Sequence, residues 1–255
     1  MSATLATFHG AMQDAFARRA AFWSQVAIMV LNDLAWIGFW TIFFDRVGTV
    51  RGWDVDAILM LYATFTIAAG LVLGVLANAR HLARLIDEGA IDHVLTLPVS
   101  PLLHLLVRRI DAVHTGDIVF GVVLFAVIGD LSPERVGAFV FAVACSTIVL
   151  AGFVLTAASS VFFTGRSQGG DLSVHSIMLL ASYPAEIFTG YTKALLFTIV
   201  PAAFVSTVPS RLVTEFSWTA AAALATAAAA FALIGWTVFH TGLRRYTSGS
   251  GWTRA

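Results

Sequence analysis

Charge is what this chain has least of. Asp, Glu, Lys and Arg make up 12% of its 255 residues, about half the ~25% of a soluble domain. Hydrophobic residues reach 58% and mean hydropathy is +0.85. Too few charges exist to cover a water-facing surface, so lipid must cover much of it. Net charge is zero, without the basic excess of a nucleic-acid binder, so no nucleic-acid partner is expected. The single cysteine, Cys145, excludes an internal disulfide, and its apolar setting reads as small buried filler. Lysine also occurs once, at Lys193. The stretch Gly190-Tyr191-Thr192-Lys193 does not match the phosphate loop G-x-x-x-x-G-K-[ST]. No cofactor is therefore expected on this chain, and ATP-driven work has to come from another polypeptide. No cleavable signal peptide is expected, because Arg18 and Arg19 follow the weak apolar stretch instead of preceding it.

Long apolar runs are what is present. A helix needs about 20 apolar residues to cross a bilayer. The runs predict an all-α integral membrane protein, one transmembrane domain over 1–255, with six spans at 22–44, 57–79, 112–128, 136–163, 172–183 and 218–240. The Tyr183-Pro184 step breaks the fifth. A further run at 194–208 is bounded by Pro201 and Pro209. Residues 184–208 read as two short re-entrant half-helices on the outer side, with a seventh span as the competing reading. Residues 4–20 carry Leu5, Phe8, Met12 and Phe16 at three- to four-residue spacing. This predicts an interfacial helix, against the alternative of a frayed tail. With both termini on one side, that side holds ten Lys and Arg, Arg254 among them, and the other holds five. The richer side is cytoplasmic, so both ends are expected inside.

The connection between the second and third spans, residues 80–111, is too polar to cross and too apolar to hang free. Asp87-Glu88-Gly89 reads as a turn with Gly89 in a left-handed position. Ile91, Val94, Leu95 and Leu97 form the apolar side of a short helix, which Pro98 ends. A partner at the cytoplasmic face is expected to bury that side; packing onto the chain's own span ends is the alternative.

Here the sequence resembles a family. The Glu88-Gly89 turn followed by Leu95-Thr96-Leu97-Pro98-Val99-Ser100 looks like the coupling-helix region of type-2 ABC exporter permeases. Tyr183-Pro184-Ala185-Glu186-Ile187-Phe188-Thr189-Gly190, with Ile199-Val200-Pro201-Ala202-Ala203-Phe204, is similar to the re-entrant region of a viologen- and multidrug-exporter-like subgroup. The resemblance implies a bacterial inner-membrane permease, an interfacial helix and six spans. It also implies a dimer of a separate ABC ATPase binding ATP and magnesium, and a second permease subunit, often a different chain. Glu88, Gly89, Ile91 and Asp92, with Val94 and Leu95 beside them, then lie at the ATPase contact.

Asn32-Asp33 falls mid-span, where an ionisable group is costly and faces the bundle or water. It reads either as a substrate-path site or as a structural hydrogen bond. Asp117 with His114 three residues before it reads as a local pair at the membrane edge. Glu186 either guards the exit of a path or caps a half-helix. Gly70 and Gly74 form a small-residue face that reads as helix packing or as a subunit interface. Abundant aromatics suit a hydrophobic or cationic small molecule, or plain lipid packing. An intramembrane lipid-modifying enzyme needs convergent polar residues. Asp33, Asp117 and Glu186 are expected at different depths, which disfavours it. A secondary transporter needs a second broken helix in the first half, and none is visible. No pair of residues shows metal-ligand spacing.

Overall fold

The computed structural model describes residues 3–128 and 130–246, and among them every regular element is a helix. Arg254, counted above on the cytoplasmic side, lies outside the described residues. Helix α1 (Ala3–Ala17) runs into α2 (Arg19–Val47). Helix α3 (Val55–Ala69) continues through a π-helical stretch, Gly70–Val75, towards α4 (Asn78–Asp87). Short helices α5 (Asp92–Leu95) and α6 (Pro101–Val107) lead to α7 (Ala112–Val127). Then come α8 (Pro133–Ser159), α9 (Val161–Thr164) and α10 (Gln168–Ala181). A 3₁₀ turn at Ala185–Ile187 precedes α11 (Gly190–Phe197). A second π stretch, Ala203–Thr207, opens α12 (Val208–Thr214), and α13 (Trp218–Leu243) closes the described chain.

Among the described residues, four stretches are long and apolar enough to span a membrane: Arg19–Val47, Val55–Val75, Pro133–Thr164 and Trp218–Leu243. Helices α6 and α7 meet at an 82° bend and make a fifth if taken as one broken span. The chain is thus a multi-pass membrane protein, helical in its regular structure and with four or five span-length helices among the described residues. The expected third and fifth spans are short: α7 has 16 residues and α10 has 14. At 1.5 Å per residue they reach about 24 and 21 Å, against a ~30 Å hydrocarbon core. Helix α10 stops just before Pro184, whose ring disfavours helical geometry in the residue ahead of it. The run at 194–208 is interrupted between Phe197 and Ala203, so it offers no continuous seventh span.

Helix α3 is apolar on every side and occupies the centre, with all residues from Met60 to Ala69 buried. Helix α2 is peripheral and exposes Ile28, Leu31, Leu34 and Ile42. The bundle depends on close helix approach. A Cβ on Gly152 in α8 would lie 2.4 Å from the Phe231 carbonyl oxygen of α13. A Cβ on Gly70 or Gly74 would lie within 3 Å of the α7 backbone at His114. The Gly70/Gly74 face therefore packs inside the chain, and the subunit-interface reading of it is corrected.

Candidate functional site

The loop at 80–111 folds as a small unit of its own. Gly89 takes φ 71°, as the Asp87-Glu88-Gly89 turn requires. Asn78, buried, donates its side-chain amide to the Leu105 carbonyl at 2.8 Å and ties α4 to α6. Ile91 and Val94 are both 0% exposed. They join Leu82, Ile86, Leu105, Leu155 and Phe239 in one apolar cluster. The expectation that a partner buries Ile91 and Val94 is therefore corrected: the chain's own α4 and α6, with the ends of α8 and α13, enclose them. The remaining loop residues point differently. Glu88, His93, Leu95 and Thr96 are exposed, and Asp92 is half-buried.

Tyr246 closes this unit from behind. Its ring meets Phe162 edge-on at 5.9 Å, and its hydroxyl reaches Asp92. Burial, reinforced by that carboxylate, pushes the tyrosine hydroxyl up to about 12. On the other side of α4, burial and the guanidiniums of Arg80, Arg109 and Arg84 hold His81 below its ordinary value.

A second region lies deeper. A cleft of about 240 Å³ opens between α2, α3, α7 and α10. Asn32, Asp33, Trp36, Tyr62, Phe65 and Asp117 are among the residues lining it. Tyr62 roofs it, accepting from Trp40 Nε1 at 3.1 Å and donating to the Ser182 carbonyl at 3.3 Å. Asp33 is 4% and Asp117 2% exposed. Their placement in one cleft corrects the expectation that they lie at different depths. The physical reason is where α7 begins: Gly116 packs against Val26 and Met29 of α2. The first turns of α7 thus run alongside the N-terminal part of α2, with Ala112 beside Phe22 and Val26, which carries Asp117 to the level of Asp33. His114 Nδ1 lies 3.2 Å from Asp117 Oδ2, so the local pair exists as well.

Glu186 lies away from this cleft. Trp53, 1% exposed, donates its indole N–H to Glu186 Oε2 at 3.0 Å, and Arg211 Nε lies 3.1 Å from Oε1. Arg211 also stacks 4.9 Å over the Trp53 ring. Arg51, at φ 51° in the turn after α2, donates to the Glu186 carbonyl at 2.7 Å. Glu186 therefore ties the α2–α3 loop to the 3₁₀ turn and α12. Of the three candidate path residues the structure brings together Asn32 and Asp33, and leaves Glu186 in a separate clamp. Sequence reasoning missed that Asp117, Tyr62 and Trp36 share the cleft with Asp33. The one available signal was a carboxylate within each of two expected spans, the first and the third. Among the described residues no group of three His, Cys, Asp or Glu is arranged to hold a metal ion.

A family model described as ABC-2 family transporter protein matches residues 30–250, a range that includes the loop at 80–111, the cleft and the Glu186 clamp. Among curated proteins and solved structures nothing matches.

Proposed function

The chain belongs to the ABC-2 family of transporter proteins, and on that premise we propose that it is the permease subunit of an ATP-driven exporter of the viologen- and multidrug-exporter-like kind. It is a non-catalytic membrane component of an ABC transporter. ATP and magnesium are bound by a dimer of a separate ATPase that docks on the cytoplasmic loop. A second permease, a different chain or a second copy of this one, supplies the other half of the path. In the bacterial inner membrane both termini face the cytoplasm. Six crossings follow if α7 and α10 each traverse with α2, α3, α8 and α13, while α11 and α12 dip in from the outer side.

The observation that carries this reading is the division of the loop into an inner and an outer face. Its inner face, Ile91 and Val94, is buried in an apolar cluster shared with α4, α6 and the ends of α8 and α13. Its outer face, Glu88, His93, Leu95 and Thr96, is exposed. A push on the outer face is passed to two long helices through close packing, which transmits strain. The cleft adds support for a hydrophobic or cationic cargo, since aromatic faces attract cations and Asp33 stands beside Trp36 and Tyr62.

The test is recovery of the tagged chain from its native membranes in mild detergent, with every partner identified by mass. Co-recovery of an ABC ATPase, lost in Leu95→Asp, supports the reading. A stable chain that never carries an ATPase sinks it and returns the secondary transporter and the lipid-modifying enzyme to the front.

A further inference from the structure

We propose that Asp33 and Asp117 together hold a single proton, forming a proton-binding site in the membrane cleft whose occupancy is set from the cytoplasmic loop through His114 and Arg80. What requires it is a pair of orphaned acceptors. Both carboxyl groups are more than nine-tenths buried, and they meet side chain to side chain. Yet Asp33 Oδ2 and Asp117 Oδ1 are buried with no donor. A buried carboxylate oxygen needs a donor, and two ionised carboxylates in contact repel each other. One proton between them meets both needs, and the pair then titrates as a unit.

The neighbours decide where that proton lies. Arg80 carries only donors, and its Nη1 is 3.2 Å from His114 Nε2. Nε2 must accept, so the imidazole hydrogen is on Nδ1 and is donated to Asp117 Oδ2 at 3.2 Å. That oxygen is satisfied, which leaves the shared proton on the orphaned side, between Asp117 Oδ1 and Asp33. Arg80 is itself anchored. Its Nη2 donates to Asp111 at 2.5 Å, and Asp111 accepts from Val113 N at the start of α7. A directed chain thus runs from Asp111 at the base of the loop, through Arg80, His114 and Asp117, to Asp33.

The remaining titratable groups do not supply the missing donor. The Tyr62 hydroxyl is spent on the Ser182 carbonyl. His175 of α10 lines the cleft from an exposed position, and His81 is engaged with Arg80 Nε at 3.2 Å. A metal ion does not fit either, because three ligating side chains are not gathered anywhere among the described residues. The proton site stands whether or not an ATPase docks. Its control from the loop rests on the permease reading. Drawing α4 away from α7 breaks Arg80–His114, so the imidazole hydrogen is no longer fixed on Nδ1 and Asp117 Oδ2 loses its set donor. The carboxyl pair then changes its hold on the shared proton.

The experiment is infrared difference spectroscopy on the full chain in lipid nanodiscs, titrated in H₂O and D₂O. The expected result is a protonated-carboxyl band at neutral pH that shifts on deuteration. Asp33→Asn or Asp117→Asn removes it, because the amide supplies the donor that the proton supplied. Either variant suffices if the other fails to fold. Arg80→Gln keeps the band but shifts the pH at which it is lost, a readout that a purely structural arginine leaves unmoved. Absence of the band at neutral pH overturns the proposal, as does a band untouched by both aspartate substitutions. A band that responds to sodium or potassium concentration in place of pH identifies a metal cation there and overturns it too.

Discussion

Trp53 is 1% exposed and donates its indole N–H to Glu186, so the consequence of losing that carboxylate is set mainly by the tryptophan. Glu186→Ala leaves a buried N–H without its acceptor and is expected to cost about 1–3 kcal/mol. Glu186→Gln keeps a carbonyl oxygen in place and should recover most of that, as thermal unfolding in detergent will report. The Arg211 partner is 40% exposed at its side chain, so its ion pair adds little and Arg211→Gln should barely move the midpoint. His81 makes a pH prediction with a definite sign. Burial and the surrounding arginines hold it below 6.5, so the unfolded chain takes up the proton first as pH falls. Its contribution to stability is complete above 6.5 and is lost as pH drops through the folded-state value. Hydrogen exchange in α4 should therefore rise on mild acidification, and His81→Asn should abolish that rise. The residue scale was only partly legible in the sequence. The left-handed Gly89 and the His114–Asp117 pair are local and were readable from spacing. The Trp53–Glu186 bond joins residues 133 positions apart, and no periodicity reports such a partner.

Elements divide the same way. Helices α2, α8 and α13 follow from long apolar runs, since a backbone surrounded by lipid must satisfy its own hydrogen bonds. The two π stretches and the bend between α6 and α7 were not anticipated, because they answer to packing against neighbours. The second π stretch is held from outside itself: Ser146 of α8 donates to the Val205 carbonyl. The loop helix α5 gives the sharpest element-level test. Ile91→Ala removes a fully buried side chain and should destabilise by about 2–5 kcal/mol. Leu95→Asp, at a site 40% exposed, should stay within ~0.5 kcal/mol of the parent chain. If the loop docks an ATPase, only the second variant loses the partner while remaining well folded. Equal thermal stability of the two would show that the inner face is not packed as described. At the α8–α13 crossing, Gly152→Ala sets a Cβ against backbone at 2.4 Å. The helices must separate, at a cost of about 1–3 kcal/mol or more, read as a lower unfolding temperature with no change in oligomeric state.

For the whole molecule, the orientation argument makes a two-sided prediction. Cys145 is buried, so single cysteines placed elsewhere can be labelled against a quiet background. A cysteine at Ala90 should react only with reagent reaching the cytoplasmic face, and one at Ser217 only with reagent on the outer face. Labelling of both from the same side would falsify the even number of crossings. The outward apolar side chains of α2 and of α7, such as Leu31, Leu34, Val123 and Val127, need lipid or a second permease to cover them. Crosslinking at these positions separates the two coverings.

Composition and apolar run length alone determined that this chain lives in a bilayer, is helical, carries no phosphate-loop motif, and has a segment at 80–111 too polar to cross. These are one-dimensional properties: the transfer of a segment into lipid depends on what that segment contains. The tertiary structure decided which face of the loop is inner, that Gly70 and Gly74 pack within the chain, and that Asp33 and Asp117 share one cleft. Each of those depends on where one helix starts beside another. That offset is set by contacts such as Gly116 against Val26, between residues far apart in sequence, and hydropathy along a single chain does not encode it.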